Sequence, residues 1–208
     1  MKIRFLAIFA GTFLVVFGIL NVRFLIANVR FLVAPGTIVR DDTLEGARLF
    51  PLAENVQAKP LPSQARLVID SIGVDAPIVF GVAPDPDQVY QNLEKGAVHY
   101  SNTPKPGLSG VSVILGHSSA YPWYKGNYGS IFALLGKLKP GDRFYVQYSD
   151  GRLFVYEVKQ SIVFNPFVPD DRIEEIEQLK GTNLVLVSCW PVGTNYRRIA
   201  VQAQLVSS

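Results

Sequence analysis

Cysteine and histidine are almost absent from this chain: there is one of the first, Cys189, and two of the second, His99 and His117, in 208 residues. A single thiol excludes an internal disulfide framework and a cysteine-rich zinc site. Two histidines without an HExxH spacing leave little material for a catalytic zinc. The loops hold no dense acidic cluster, so no metal and no other cofactor is expected. An excess of one charge is missing too. Twenty basic and 17 acidic side chains are well mixed and sum to +3, which gives no surface suited to nucleic acid.

One long hydrophobic run is present, and it accounts for a mean hydropathy of +0.22. After Lys2 and Arg4, residues Phe5 to Val22 carry no charge. As a helix the run spans roughly 27 Å, near the thickness of a bilayer's hydrocarbon core. A buried core helix would show a polar face, and a cleaved signal peptide would be shorter and end at small residues. The expectation is therefore an uncleaved single-pass anchor. Arg23, Arg30 and Arg40 follow the run and Lys2 and Arg4 precede it, so charge bias does not orient it.

The anchor segment, residues 1–34, also contains a short repeat, "NVRFLIA" then "NVRFLVA", which sets Arg23 and Arg30 seven residues apart. That spacing suits either a basic helix face along lipid phosphates or a local duplication without a role. Residues 35–64 mix Pro, Gly, Asp and Ala without periodicity and read as a linker.

From residue 65 to 208 the pattern changes. "ARLVID", "APIVFG", "GVSVILG", "DRFYVQYSDGRLFVYEV", "TNLVLVS" and "RRIAVQAQLV" are short runs rich in β-branched and aromatic residues. "SDG" at 149–151 marks a hairpin. "GSIFALLGKLKPGD" predicts a helical turn. "DDRIEEIEQLKG" predicts a short helix capped by Asp170 or Asp171. Neither is long enough for a βαβ sheet, so the domain is expected to be mainly β, a mostly antiparallel barrel or sandwich of about eight strands.

His117 and Cys189 both follow apparent strand ends, where a rigid scaffold can present reactive groups. On spacing alone the structural reading of each leads. His117 precedes Cys189 by 72 residues, the reverse of the papain order, and no Q-A-C-x-G caspase signature is present.

Together, "ARLVIDSIGVDAPIVFG", "GAVHYSNTPKPGLSGVSVILGHSS", "LVLVSC" and "RRIAVQAQL" give a chain that resembles the sortases, membrane-anchored cysteine transpeptidases of bacterial cell surfaces. The likeness runs from about Ala65 to Leu205. It implies an eight-stranded sortase-type β-barrel with short helices, with His117, Cys189 and Arg198 as the catalytic residues. Val185 and Ser188 stand where the family's T-L-x-T-C pattern has threonines. The arginine is open between Arg198 and Arg197. Alternation sets Ile199, Val201, Ala203 and Leu205 on one face of the last strand and Arg198 on the other.

The resemblance further implies attack by Cys189 on an LPxTG-like C-terminal sorting signal, a thioacyl intermediate, and transfer to an amine of the cell wall or a pilin lysine. Arg198 would steady the oxyanion and His117 would move the protons. Ser188, Trp190, Trp123 and Arg197 are candidate substrate-binding residues, and Tyr121, Tyr124 and Tyr128 crowd the loop after His117. His99 reads as structural or at the substrate's edge. The catalytic domain would be extracellular. A non-catalytic, membrane-tethered β-domain that binds a surface partner is the alternative.

Overall fold

The computed structural model describes residues 60–119 and 126–208. The expected anchor and most of the linker lie outside them. Among the described residues no helix is long and apolar enough to cross a membrane.

Eight strands close into a barrel: β1 Ala65–Ile69, β2 Val74–Val79, β3 Ala97–His99, β4 Gly110–Leu115, β5 Arg143–Tyr148, β6 Leu153–Phe164, β7 Thr182–Trp190 and β8 Arg197–Ser207. Around the ring the order is β1-β2-β3-β4-β7-β8-β6-β5, which puts β1 across the barrel from β7. Six of the eight pairings are antiparallel, as the sequence predicts. The pairs β2–β3 and β4–β7 are parallel. A parallel pair needs a crossover, and each has one. Helix α1, Pro86–Asn92, lies between β2 and β3; the β5–β6 hairpin and helix α2, Asp171–Glu177, lie between β4 and β7.

Alternation in sequence becomes alternation in burial. Along β1, Ala65, Leu67 and Ile69 point inward while Arg66 is exposed and pairs with Asp75 of β2 at 2.6 Å. Phe144, Val146 and Tyr148 of β5, Tyr156 of β6, and Leu184 and Leu186 of β7 fill the same interior. Each such side chain contributes about 1.5–3 kcal/mol through its removal from water. Gly151, at φ +91°, supplies the left-handed residue that the β5–β6 turn requires.

Helix α2 is capped by Asp170, whose carboxylate accepts from the Arg172 amide at 3.1 Å. The expected helical turn in "GSIFALLGKLKPGD" is a series of turns closed by a 3-10 helix at Leu135–Lys137. Two elements were not foreseen. One is β3, three residues long and buried throughout. The other is α1, which starts with Asp85 as cap and Pro86 in the first turn and buries no side chain.

Residues 100–109, joining β3 to β4, are tied to the interior. The Tyr148 hydroxyl donates to the Pro106 carbonyl at 2.8 Å, and the Gly107 amide donates to the Tyr156 hydroxyl at 2.7 Å. Burial pushes the Tyr156 phenol up to about 12, so it stays neutral. The chain entering β1 is also held. Arg152 donates to the Pro60 carbonyl at 2.9 Å, Lys105 to that of Pro62 at 3.2 Å, and the Ser149 amide to that of Gln64 at 3.0 Å.

Candidate active site

The two faces of β7 do different work. Leu184, Leu186 and Ser188 point into the barrel; Val185, Val187 and Cys189 point outward. Outside, Val185 joins a second apolar cluster with Ile162, Ala200 and Ile176, flanked by Val113, Val187 and Phe164. Helix α2 supplies Ile176 and covers part of this outer face. Cys189 stands at the end of the outward series, half-buried and not in a disulfide.

His117 reaches the same level from β4. The β4–β7 pairing is parallel with a constant offset of 72 residues, from Gly110↔Thr182 to Leu115↔Val187. The Gly116 amide carries it one step further by donating to the Val187 carbonyl at 3.1 Å. Two residues past β4, His117 therefore falls level with Cys189 and in the outward phase. The chain turns here because Gly116 passes under Phe132: a Cβ on Gly116 would lie 2.4 Å from that ring. The Phe132 amide then donates to the His117 carbonyl at 2.9 Å.

The imidazole of His117 is buried, and the ring of Tyr90 on α1 meets it edge to face, 5.5 Å between centroids at 80°. Burial pulls its pKa below the ordinary histidine value, and Glu94, just past α1, opposes that. The net direction keeps His117 neutral near pH 7.

Arg198 closes the row. In the antiparallel β7–β8 ladder it lies opposite Cys189, while Arg197 lies opposite Trp190. Its Nη1 donates to the carbonyls of Asn195 and Arg197, both at 3.0 Å, which fixes the guanidinium at the mouth of the β7–β8 turn. On the far side of Arg198 is Phe164 of β6. At about 4.8 Å between neighbouring strands, the row from His117 through Cys189 to Arg198 spans roughly 10 Å.

The other candidates scatter. Ser188, expected to touch substrate, points inward instead; it is 3% exposed, and its hydroxyl donates to the Gly116 carbonyl at 2.7 Å. Trp190 shares that inward phase and packs on the core and on Gly136, where an added Cβ would meet its ring at 2.9 Å. Both therefore sit on the side of β7 away from the thiol. Arg197 is exposed, and its carbonyl holds Arg198. Trp123, Tyr121 and Tyr124 lie outside the described residues. Tyr128 lines an open cavity of about 360 Å³ with Ile72, Val74, Asp75 and Ile131, and none of the row residues takes part in it.

His99 faces the interior, where Nε2–H donates to the Pro104 carbonyl at 2.9 Å. Burial and Lys105 hold it below the ordinary histidine value, and the Pro104 contact opposes this. Sequence reasoning missed Tyr90 and Glu94. The "PDPDQVYQNLEKG" stretch carried a signal for them in Asp85 followed by Pro86, a cap and first-turn pair.

A half-exposed thiol flanked by a neutral imidazole and a fixed cation is equipped for acyl transfer. The sulfur can attack a carbonyl, the imidazole can take and return a proton, and the guanidinium can meet the negative oxygen that forms. Among the described residues no group of three or more His, Cys, Asp or Glu side chains could hold a metal ion.

Comparison with known proteins agrees with this chemistry. The model of the sortase domain matches residues 67–206. Sortase D of Bacillus subtilis (strain 168) is 29% identical over 154 residues, covering 72% of this chain and 68% of its own. The crystal structure of sortase C-1 from Actinomyces oris superposes with a TM-score of 0.57 at 25% identity, covering 83% of this chain and all of that one. A lid mutant of sortase A from Corynebacterium diphtheriae gives 0.54 at 26% identity, covering 82% and 95%. A non-catalytic β-domain is not favoured by these likenesses. With a family model spanning well over half of its length, the chain belongs to the sortase family of cysteine transpeptidases, whose substrates are sorting-signal proteins and amine acceptors.

Proposed function

We propose that Cys189 is the nucleophile of this transpeptidase, His117 its acid and base, and Arg198 its oxyanion partner. The observation that supports the assignment is the single outward row across β4, β7 and β8. The thiol proton passes to the neutral His117 as sulfur attacks the scissile carbonyl. The tetrahedral oxygen takes its charge against the Arg198 guanidinium. Collapse breaks the C–N bond, and His117 gives its proton to the leaving amine. In the second half, an incoming amine attacks the thioester and His117 removes its proton; collapse breaks the C–S bond, and the proton returns from His117 to the Cys189 sulfur.

The donor is a C-terminal LPxTG-like signal, and the acceptor is a peptidoglycan amine or a pilin lysine. The apolar strip of Val187, Val113 and Phe164 beside the thiol suits the aliphatic part of such a signal. Residues 1–34 form the membrane anchor, 35–64 a linker and 65–208 the catalytic domain, which works outside the cell membrane.

The test incubates the full chain with an LPxTG-type peptide and triglycine, with Cys189→Ala as control, and reads masses. The expected result is a thioacyl adduct on Cys189 that transfers to triglycine. A wild-type thiol that neither forms the adduct nor reacts with iodoacetamide near neutral pH overturns the assignment.

A further inference from the structure

The β4–β7 ladder ends at the site, and it ends on a side chain. Beyond the Gly116 amide–Val187 carbonyl bond at 3.1 Å, the next group on β4 is the Gly116 carbonyl, and it accepts from the Ser188 hydroxyl at 2.7 Å. Both partners are buried, Ser188 to 3% exposure. Each stands one residue before a member of the row: Gly116 before His117, Ser188 before Cys189. The bond crosses between the two strands from beneath, on the barrel side, while the imidazole and thiol lie on the outer side.

The segment it holds is thus tied to β7 twice, through the Gly116 amide on Val187 and the Gly116 carbonyl on Ser188. Gly116 cannot gain a side chain because of Phe132, and the His117 carbonyl is engaged by the Phe132 amide, which pulls toward the returning segment and not toward β7.

From this geometry we infer that Ser188 is a positioning residue: its hydroxyl clamps the end of β4 to β7 and so sets the separation between His117 and Cys189. The inference rests on the roles proposed above for those two residues. The hydroxyl is spent on the Gly116 carbonyl, on the barrel side of the strand. It acts by fixing two main chains whose next residues exchange a proton, a transfer that requires hydrogen-bond reach. Displacements near 1 Å can lower turnover on the order of a hundredfold.

The test compares the full chain with Ser188→Ala and with the near-isosteric pair Ser188→Thr and Ser188→Val, all at a temperature where circular dichroism shows the barrel folded. Two quantities are read: kcat and KM for acylation by an LPxTG-type peptide, and the pH dependence of Cys189 alkylation by iodoacetamide. In the expected result Ser188→Ala and Ser188→Val lose ten- to a hundredfold in kcat with KM within about twofold, on the order of such positioning losses. The midpoint of alkylation moves in both, and Ser188→Thr restores both quantities.

Should Ser188→Ala not fold, Thr against Val still isolates the hydroxyl. Equal kcat and equal alkylation profiles for Thr and Val overturn the inference, as does a change confined to KM. If wild type acylates no sorting peptide, the functional assignment fails instead, and the alkylation profiles still decide the role of Ser188.

Discussion

Arg198 lies directly across the β7–β8 ladder from Cys189, and its neighbour Arg197 lies across from Trp190. Two adjacent arginines are thus separated by the pleat, one on the thiol's face and one on the opposite face. Replacing Arg198 with alanine is expected to lower kcat/KM for acylation about 10²–10³-fold, the usual effect of removing an oxyanion donor. Lysine at 198 should recover only part of it, because a guanidinium can hold the Asn195 and Arg197 carbonyls through Nη1 and present its other nitrogens elsewhere, which a single ammonium cannot. Arg197→Ala should remain within about threefold of wild type, since Arg197 contributes a carbonyl that alanine keeps. Steady-state kinetics on the three variants checks the assignment; a larger loss at 197 than at 198 would reverse it.

Removing Tyr90 should change the titration of His117. The ring helps keep water from the imidazole, and burial is the largest cause of the lowered pKa. In Tyr90→Ala the imidazole regains hydration, so its pKa should rise toward about 6.5, the unperturbed value. An NMR titration of the His117 Cε1 proton reads this directly, and the acidic limb of kcat/KM should move in the same direction. Glu94→Gln should move it the opposite way, because the carboxylate now favours the charged form. No movement in either variant would place the control of His117 elsewhere.

The two buried histidines predict an acid-sensitive barrel. His99 and His117 both titrate below the ordinary histidine value in the folded protein. On acidification the unfolded chain therefore binds protons first, near pH 6.5, and stability present above that pH is lost as it falls through the depressed folded values. With up to two extra protons on the unfolded chain, the slope reaches at most about 2.7 kcal/mol per pH unit. Glu157 and Asp170, whose pKa values are depressed by Lys159 and Arg172 respectively, act only at lower pH, below the ordinary carboxylate range. Urea midpoints between pH 7.5 and 5.5 should fall, and His117→Gln should reduce that fall by up to half. A midpoint flat over this range contradicts the prediction.

Gly116→Ala tests the turn that delivers His117. The new Cβ would sit 2.4 Å from the Phe132 ring, so the chain or the ring must shift. A destabilisation of about 2 kcal/mol is expected, typical of overpacking. Phe132→Leu should recover part of it, and a double-mutant cycle by urea denaturation would then show coupling between the two positions. Additive effects would mean that the close approach is relieved in some other way.

Much of this fold is legible in the sequence. The β-branched and aromatic runs with turn residues between them correspond to seven of the eight strands, and "SDG" is a hairpin turn. β3 escaped because three residues are too few for alternation to register, and all three are buried. Helix α1 escaped for the opposite reason. It buries nothing, so no apolar period exists, and only Asp85 and Pro86 announce it.

Ser188 is a substrate candidate through the T-L-x-T-C resemblance and Trp190 through its place directly after Cys189. Alternation along β7 already separates them from it, since neighbours in a strand face opposite ways. The level position of His117 beside Cys189 was beyond reach. It depends on a parallel register with a 72-residue offset, set by packing across the barrel and by no local signal.

The carbonyls of Pro60, Pro62 and Gln64 are gripped by Arg152, Lys105 and the Ser149 amide at the threshold of β1, across the ring from β7. A pull on the chain ahead of residue 60 is therefore delivered first to the β5–β6 turn, which makes two of the three grips, and to the β3–β4 connection, which leads into the strand beside β7. None of the three grips falls on His117, Cys189 or Arg198, so such a load would reach the reactive row only through the strands between.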